Sequence, residues 1–264
     1  MLCSTADNAR NSPLLLLPPE IRSRIWDYVF DVGVIHVTTW TTNGHAYELS
    51  ICRRPKSYTE TPPRVFADKR DDSAGPLSSD PSYLEDHELC LWTGSREPFD
   101  RAHYLSPLRT CRLIYHEAVL KPFSVNGFQY NTFNASGHRS NSGLHRMIDV
   151  MVPMQARAIK RLHIVSVDGS FLSPVVVRQL KGLEHLDIQI VPHGLIAYAL
   201  DQFRTDAGVS SLSSLPLKTL HISFKVDAKL MQTPFFDTAA LIAWSNGMEE
   251  KLLHKTTNDG TTSQ

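Results

Sequence analysis

Twelve histidines and four cysteines are the groups in this 264-residue chain from which chemistry would come. A metal site needs ligands at short, fixed spacings, and no His-Glu-x-x-His, His-x-His or Cys-x-x-Cys is present. The densest ligand cluster, Asp86-His87-Glu88 with Cys90, falls in a polar, proline-rich stretch that gives ligands no fixed frame. Cys111 and His116 are five residues apart, which on one helix puts them on different faces, a poor nucleophile and base. No Gly-x-Gly-x-x-Gly or phosphate loop occurs, and Asp168-Gly169-Ser170 reads only as a turn. The chain is therefore expected to be non-catalytic, with no metal and no cofactor.

Charge gives a second reading. Lys+Arg and Asp+Glu number 27 each, for a net charge of zero. That balance conceals two unlike parts. Residues 60–100 hold ten acids against four Lys/Arg, and residues 101–163 hold nine Lys/Arg against two acids. Arg109 and Arg112 stand three apart on one helical face, and Arg157, Lys160 and Arg161 lie close together. A basic face of this kind can meet phosphate. The aromatic interleaving of a single-strand binder is missing, so a solvated face screened by the acidic stretch is favoured over nucleic acid. The apolar run Leu14–Leu17, closed by Pro18-Pro19, is too short for a secretory core or a bilayer span. Cys3, Cys52, Cys90 and Cys111 are scattered and read as free thiols in a reducing compartment. The expected setting is intracellular, cytoplasmic or nuclear, away from membranes.

The elements that would position these residues are mixed. Pro18 and Pro19 with Glu20 suit a helix start. Ile21, Ile25, Tyr28 and Val29, widened by Trp26, predict its inner stripe, and Arg22, Ser23 and Asp27 its outer face. Gly33 should stop it. Val34–Trp40 and His45–Ile51 read as strands joined at Asn43-Gly44, a hairpin signal. Residues 55–107 carry seven of the sixteen prolines and are expected to be mobile, apart from Glu88–Trp92 as a third strand. Ser106-Pro107 opens a helix that the pattern carries from Leu108 to a stop at Pro122. Phe128 and Tyr130 mark a short strand, and residues 143–157 a helix that Pro153 interrupts.

The last hundred residues hold a weak repeat. Ile159 to Val165, Leu183 to Gln189 and Leu217 to Ser223 each read apolar-x-x-Leu-x-Ile, at spacings of 24 and 34 residues. Helix-compatible segments at 174–180 and 195–203 lie between the copies. Parallel strands follow, whether as a leucine-rich-repeat-like solenoid or as a small βαβαβ sheet. His163 and His221 occupy equivalent positions of these strands, on the sheet's outer face. A helix after Pro234 should close the chain. The fold class is α+β: helix, hairpin and helix, then a short β/α parallel-strand region. The expected division is 12–54, 55–107, 108–158 and 159–255, with a disordered tail over 256–264.

Two stretches carry a family resemblance. Leu17-Pro18-Pro19-Glu20-Ile21-Arg22 resembles the opening helix of an F-box, and Leu108 to Tyr115 resembles the Cys-Arg helix that closes one. The combination, with Thr110-Cys111-Arg112-Leu113-Ile114-Tyr115-His116-Glu117-Ala118 and Phe123-Ser124-Val125-Asn126-Gly127-Phe128, is most similar to a large uncharacterised fungal family with an F-box-like start. In an F-box protein that first helix packs on the adaptor subunit of a cullin-type ubiquitin ligase, and a second domain captures a protein substrate. The resemblance thus implies an interaction module with Leu17, Pro18, Ile21 and Ile25 as adaptor contacts. The alternative is a family-specific scaffold in which the same helix is buried in the chain's own core.

Overall fold

The computed structural model describes residues 12–40, 46–52, 65–68, 97–98, 104–131, 142–166, 172–191, 196–227, 231–232 and 236–258. Helix α1 (Pro19–Phe30) leads through Gly33 into β1 (Val34–Trp40), which returns as β2 (Ala46–Ile51). Short strands β3 (Val65–Asp68) and β4 (Glu97–Pro98) follow. A 3₁₀ turn at Ser106–Arg109 opens a helical segment, α2 (Arg112–Ala118) and α3 (Lys121–Ser124), which enters β5 (Gly127–Asn131). Then come α4 (Ser142–Asp149), α5 (Pro153–Ala158), β6 (Arg161–Ser166), α6 (Pro174–Gln179) and β7 (His185–Ile190). Last are α7 (Ile196–Thr205), α8 (Ala207–Ser211), β8 (Thr219–Asp227) and α9 (Thr238–Asn258).

Among the described residues the eight strands form one sheet in the order β3-β8-β7-β6-β5-β1-β2-β4. The six strands from β3 to β1 are mutually parallel, and β2 and β4 add antiparallel at the far end. The hairpin β1–β2 is thus continuous with the repeat strands rather than a separate sheet. The expected three-copy repeat also extends further, because Gly127 of β5 aligns with Arg161, His185 and Thr219. Phe128-x-Tyr130 is the copy that its aromatic side chains disguise. The proline-rich segment, expected to be mobile, supplies β3 and β4; the strand expected at Glu88–Trp92 lies outside the described residues.

Side chains alternate along a strand, so parallel register sorts them into rows on two faces. Ile35, Phe128, Leu162, Leu186 and Leu220 form one row, and Val37, Tyr130, Ile164, Ile188 and Ile222 the next. All ten are buried, in one core with Leu144, Met147 and Ile148 of α4, Ala156 of α5, Val176 and Val177 of α6, Phe203 of α7 and Val209 of α8. The crossover helices pack on this face. Close approach there admits no side chain at Gly208, where a Cβ would lie 1.4 Å from the Leu172 carbonyl oxygen.

Pro122 acts differently from its expected role, whereas Pro153 interrupts its helix as expected. Pro122 sits in the first turn of α3, where its missing N–H has no helical acceptor, instead of ending α2 at that point. Pro153 splits the expected helix into α4 and α5, and the Gln155 side-chain oxygen accepts from the Val152 N–H at 3.1 Å. At the other end α9 runs through Thr256, where a disordered tail was expected, to Asn258. It crosses the part of the β8 edge that β3 leaves open. The Ser245 hydroxyl donates to the Ile222 carbonyl at 2.7 Å, and Glu249 accepts the Ile222 N–H at 2.6 Å.

Asn126 joins the helical segment to the sheet. Its fully buried amide donates to the carbonyls of Phe30 and Pro122, each at 2.8 Å, and accepts the Val32 N–H at 2.8 Å. Tyr104 donates to the same Phe30 carbonyl at 2.5 Å, and burial pushes its phenol up to about 12. Beside this knot Gly33 takes φ 87°, which glycine adopts without strain, and its carbonyl receives the Gly127 N–H at 2.8 Å. Replacing Asn126→Ala leaves two carbonyls and one N–H without that amide. The expected loss is at least about 2 kcal/mol in urea unfolding, with an unchanged slope.

Candidate functional site

Helix α1 lies with a charged residue inward. Arg22, expected to face outward, is buried with Trp26 and Phe30. Its Nε and Nη2 donate to the Glu117 carboxylate of α2, the shortest contact being 2.6 Å, and its Nη1 donates to the Leu15 carbonyl at 3.0 Å and to that of Leu17. The guanidinium holds Glu117 below the usual carboxylate range. Lys121 of α3 adds bonds to Ser23 at 2.9 Å and Asp27 at 2.6 Å. Leu15, Trp26, Phe30, Ile114 and Ala118 form a second small core under this frame. A buried fork with a carboxylate and two carbonyls to receive it satisfies what would otherwise be an expensive charge.

The consequence is an inverted helix. Ile21, Tyr28 and Val29, expected inside, are 42%, 88% and 41% exposed, and Leu16 and Leu17 are 67% and 37% exposed. Pro18 is exposed and Ile25 half-buried against the second core. The four residues expected to contact an adaptor therefore flank one outward apolar stripe. Of Leu17, Ile21, Ile25 and Val29, which the alternative turns toward the chain's own core, Ile25 packs on the second core while Leu17, Ile21 and Val29 are exposed.

The basic residues do not share one element. Arg109 and Arg112 are exposed beside α2, and Arg157 and Arg161 are exposed at α5 and β6. Lys160 is engaged: its ammonium meets Glu184 at 2.6 Å, and Lys218 pairs with the same carboxylate. Those two lysines pull Glu184 down to about 2.

The face of the sheet opposite the crossover helices carries a polar row. In register from β1 to β8 it reads His36, Gln129, His163, Asp187 and His221, and Glu249 of α9 lies 3.8 Å from His221 at its end. His36, Gln129, His221 and Glu249 are buried, and His163 and Asp187 half-buried. The next row brings Gln189 beside Ser223, both buried. Desolvation, with the negative charge of Glu249, pushes the Asp187 carboxyl up to about 6. His163 and His221 were legible as equivalent strand positions. Asp187 holds the same position in the middle copy, and Gln129 does so in the unread copy on β5. Among the described residues no group of three or more His, Cys, Asp or Glu side chains is arranged to hold a metal ion, and no helix is long and apolar enough to cross a membrane. The Asp86–Cys90 cluster lies outside the described residues.

A family model described as a domain of unknown function (DUF7730) matches residues 7–167. No curated protein and no solved structure matches the chain.

Two titrations follow from this geometry. Glu117 is depressed in the fold, so its pair with Arg22 stabilises above the ordinary carboxylate range and fades as pH falls through the lowered value. Glu117→Gln should lower the melting temperature at pH 7, with the difference from wild type shrinking on acidification. Asp187 has the opposite sign: raised in the fold, it destabilises once ionised, with the penalty growing from about pH 4 to about 6. Asp187→Asn should therefore be more stable than wild type by about 1–3 kcal/mol at pH 7.5 and equal to it at pH 4, read by urea unfolding at both values.

Proposed function

We propose that this chain, which belongs to the DUF7730 family of domains of unknown function, is a non-catalytic protein-interaction module that docks through the outward stripe of α1. The observation that carries this reading is the inversion of that helix. Arg22, Trp26 and Phe30 fasten it from inside, leaving Leu17, Pro18 and Ile21 exposed and Ile25 half-buried at their edge. A monomer gains nothing by exposing this many large apolar residues, and covering them with a partner would return roughly 25 cal/mol for each Å² buried.

The partner proposed is the adaptor subunit of a cullin-type ubiquitin ligase. The F-box-like Leu-Pro-Pro-Glu-Ile start supports it, and so does the packing of that helix on the Thr-Cys-Arg helix in one small core. The leucine-rich-repeat-like strands of the other half would then serve a protein substrate, and an intracellular setting, cytoplasmic or nuclear, goes with this reading. The exposed arginines on α2 and at β6 favour no nucleic-acid role, since they sit on separate elements and Lys160 is already paired.

Co-purification of the full chain with the purified adaptor tests the proposal. Wild type should form a stable complex, and Leu17→Ala/Pro18→Ala and Ile21→Glu should each reduce binding at least tenfold. The circular dichroism spectrum should stay unchanged in both. Absence of a complex with wild type rejects the adaptor as partner.

A further inference from the structure

Asp187 stands in the polar row, on the face opposite the crossover helices, in a setting that packing does not require. Its neighbours in the row are His163 on β6 and His221 on β8, with Arg161 and His185 one row away and Glu249 beyond His221. Among the described residues its carboxyl accepts no hydrogen bond and meets no cation, and the charge that acts on it, Glu249, is of like sign. Two amides on the same face share this condition. Gln189, two residues along β7, is 1% exposed with both Oε1 and Nε2 unpartnered, and Gln129, two strands away in the Asp187 row, is 2% exposed with Nε2 unpartnered. Native folds pair nearly all buried polar atoms, so an unpaired acid and three orphaned amide atoms on one face call for a shared partner.

We propose that this face holds a binding site for a small organic cation, whose guanidinium or ammonium group pairs with Asp187 and whose polar remainder is held by Gln189 and Gln129. The charge of the ligand follows from the acids. A desolvated carboxylate with Glu249 nearby is relieved by a cation and not by a neutral or anionic group. Its size follows from the sheet, because strand spacing and side-chain repeat put the three residues about 7–12 Å from one another. Binding requires an ionised Asp187. Acid weakens it as that carboxyl takes up its proton.

Titration calorimetry on the full chain tests this with argininamide, lysinamide and the neutral isostere citrullinamide. At pH 7.5 at least one cation should saturate the site and bind at least tenfold more tightly than citrullinamide. Argininamide against lysinamide tells guanidinium from ammonium. Asp187→Asn should bring the charged probe down to the affinity of the neutral one, and Gln189→Ala should weaken all three probes alike. In the wild-type protein, which needs no variant to fold, the cation should bind about tenfold more weakly at pH 5 than at pH 7. Equal affinity for charged and neutral probes, absence of saturable binding by either cation, or a folded Asp187→Asn that binds like wild type would each overturn the proposal.

Discussion

Unbroken register across β1, β5, β6, β7 and β8 is the constraint on which the rest of the molecule depends. Once Ile35, Phe128, Leu162, Leu186 and Leu220 line up, every second residue of every strand is committed to the same side. The apolar side can be buried only by elements arriving between strands, so α4 to α8 all collect there. The other side receives what remains: His36, Gln129, His163, Asp187 and His221, side by side at strand spacing. The same register that builds the core therefore builds the polar row. Neither could be altered alone, because shifting one strand by a residue would exchange the two faces.

A second constraint, smaller in extent, fixes how the N-terminal helix meets this sheet. An amphipathic stripe ordinarily faces its own core, and by that rule Ile21, Tyr28 and Val29 should be inside. The rule loses here to the guanidinium of Arg22. Glu117 and the carbonyls of Leu15 and Leu17 surround it so fully that the charge is better inside, and the whole helix turns to accommodate it. Trp26 and Phe30, four and eight residues on, share the inward face and supply its apolar burial. The displaced aliphatics have nowhere to go but outward.

This explains what could be read from the sequence and what could not. Strands and helices of the second half follow from local periodicity, which one chain displays without reference to anything else. So does parallel pairing, because helix-length spacers between like strands permit little else. The continuity of β1 with β5 was hidden because it joins residues 93 apart, Val34 and Gly127, and no local pattern encodes such a pairing. Phe128 and Tyr130 concealed a repeat copy by substituting aromatics for Leu and Ile. The polarity of α1 was misread since its deciding partner, Glu117, lies 95 residues from Arg22. Asp187 was visible as a strand residue, but its lack of a partner is a property of a face, which exists only after folding.

The residues that tie α1 down explain the spacing of the family pattern. Glu117 holds Arg22 and Trp26, Lys121 holds Ser23 and Asp27, and Asn126 holds Phe30 and Val32. Each acts on α1 or the turn that follows it from more than 90 residues away in the chain. The two stretches, remote in the chain, are thus two halves of a single docking contact. The matched family segment carries this contact and reaches β6, yet β6 pairs in register with β7, and Leu162 and Ile164 share their core with α6, α8 and β8. Cut after β6, that segment would expose a new parallel edge and half of its apolar row. Its stability is therefore bound to the strands that follow. The polar row is divided in the same way, with His36, Gln129 and His163 inside the matched segment and Asp187, His221 and Glu249 beyond it. A site centred on Asp187 belongs to the joined sheet, whereas the outward stripe of α1 belongs to the family segment alone.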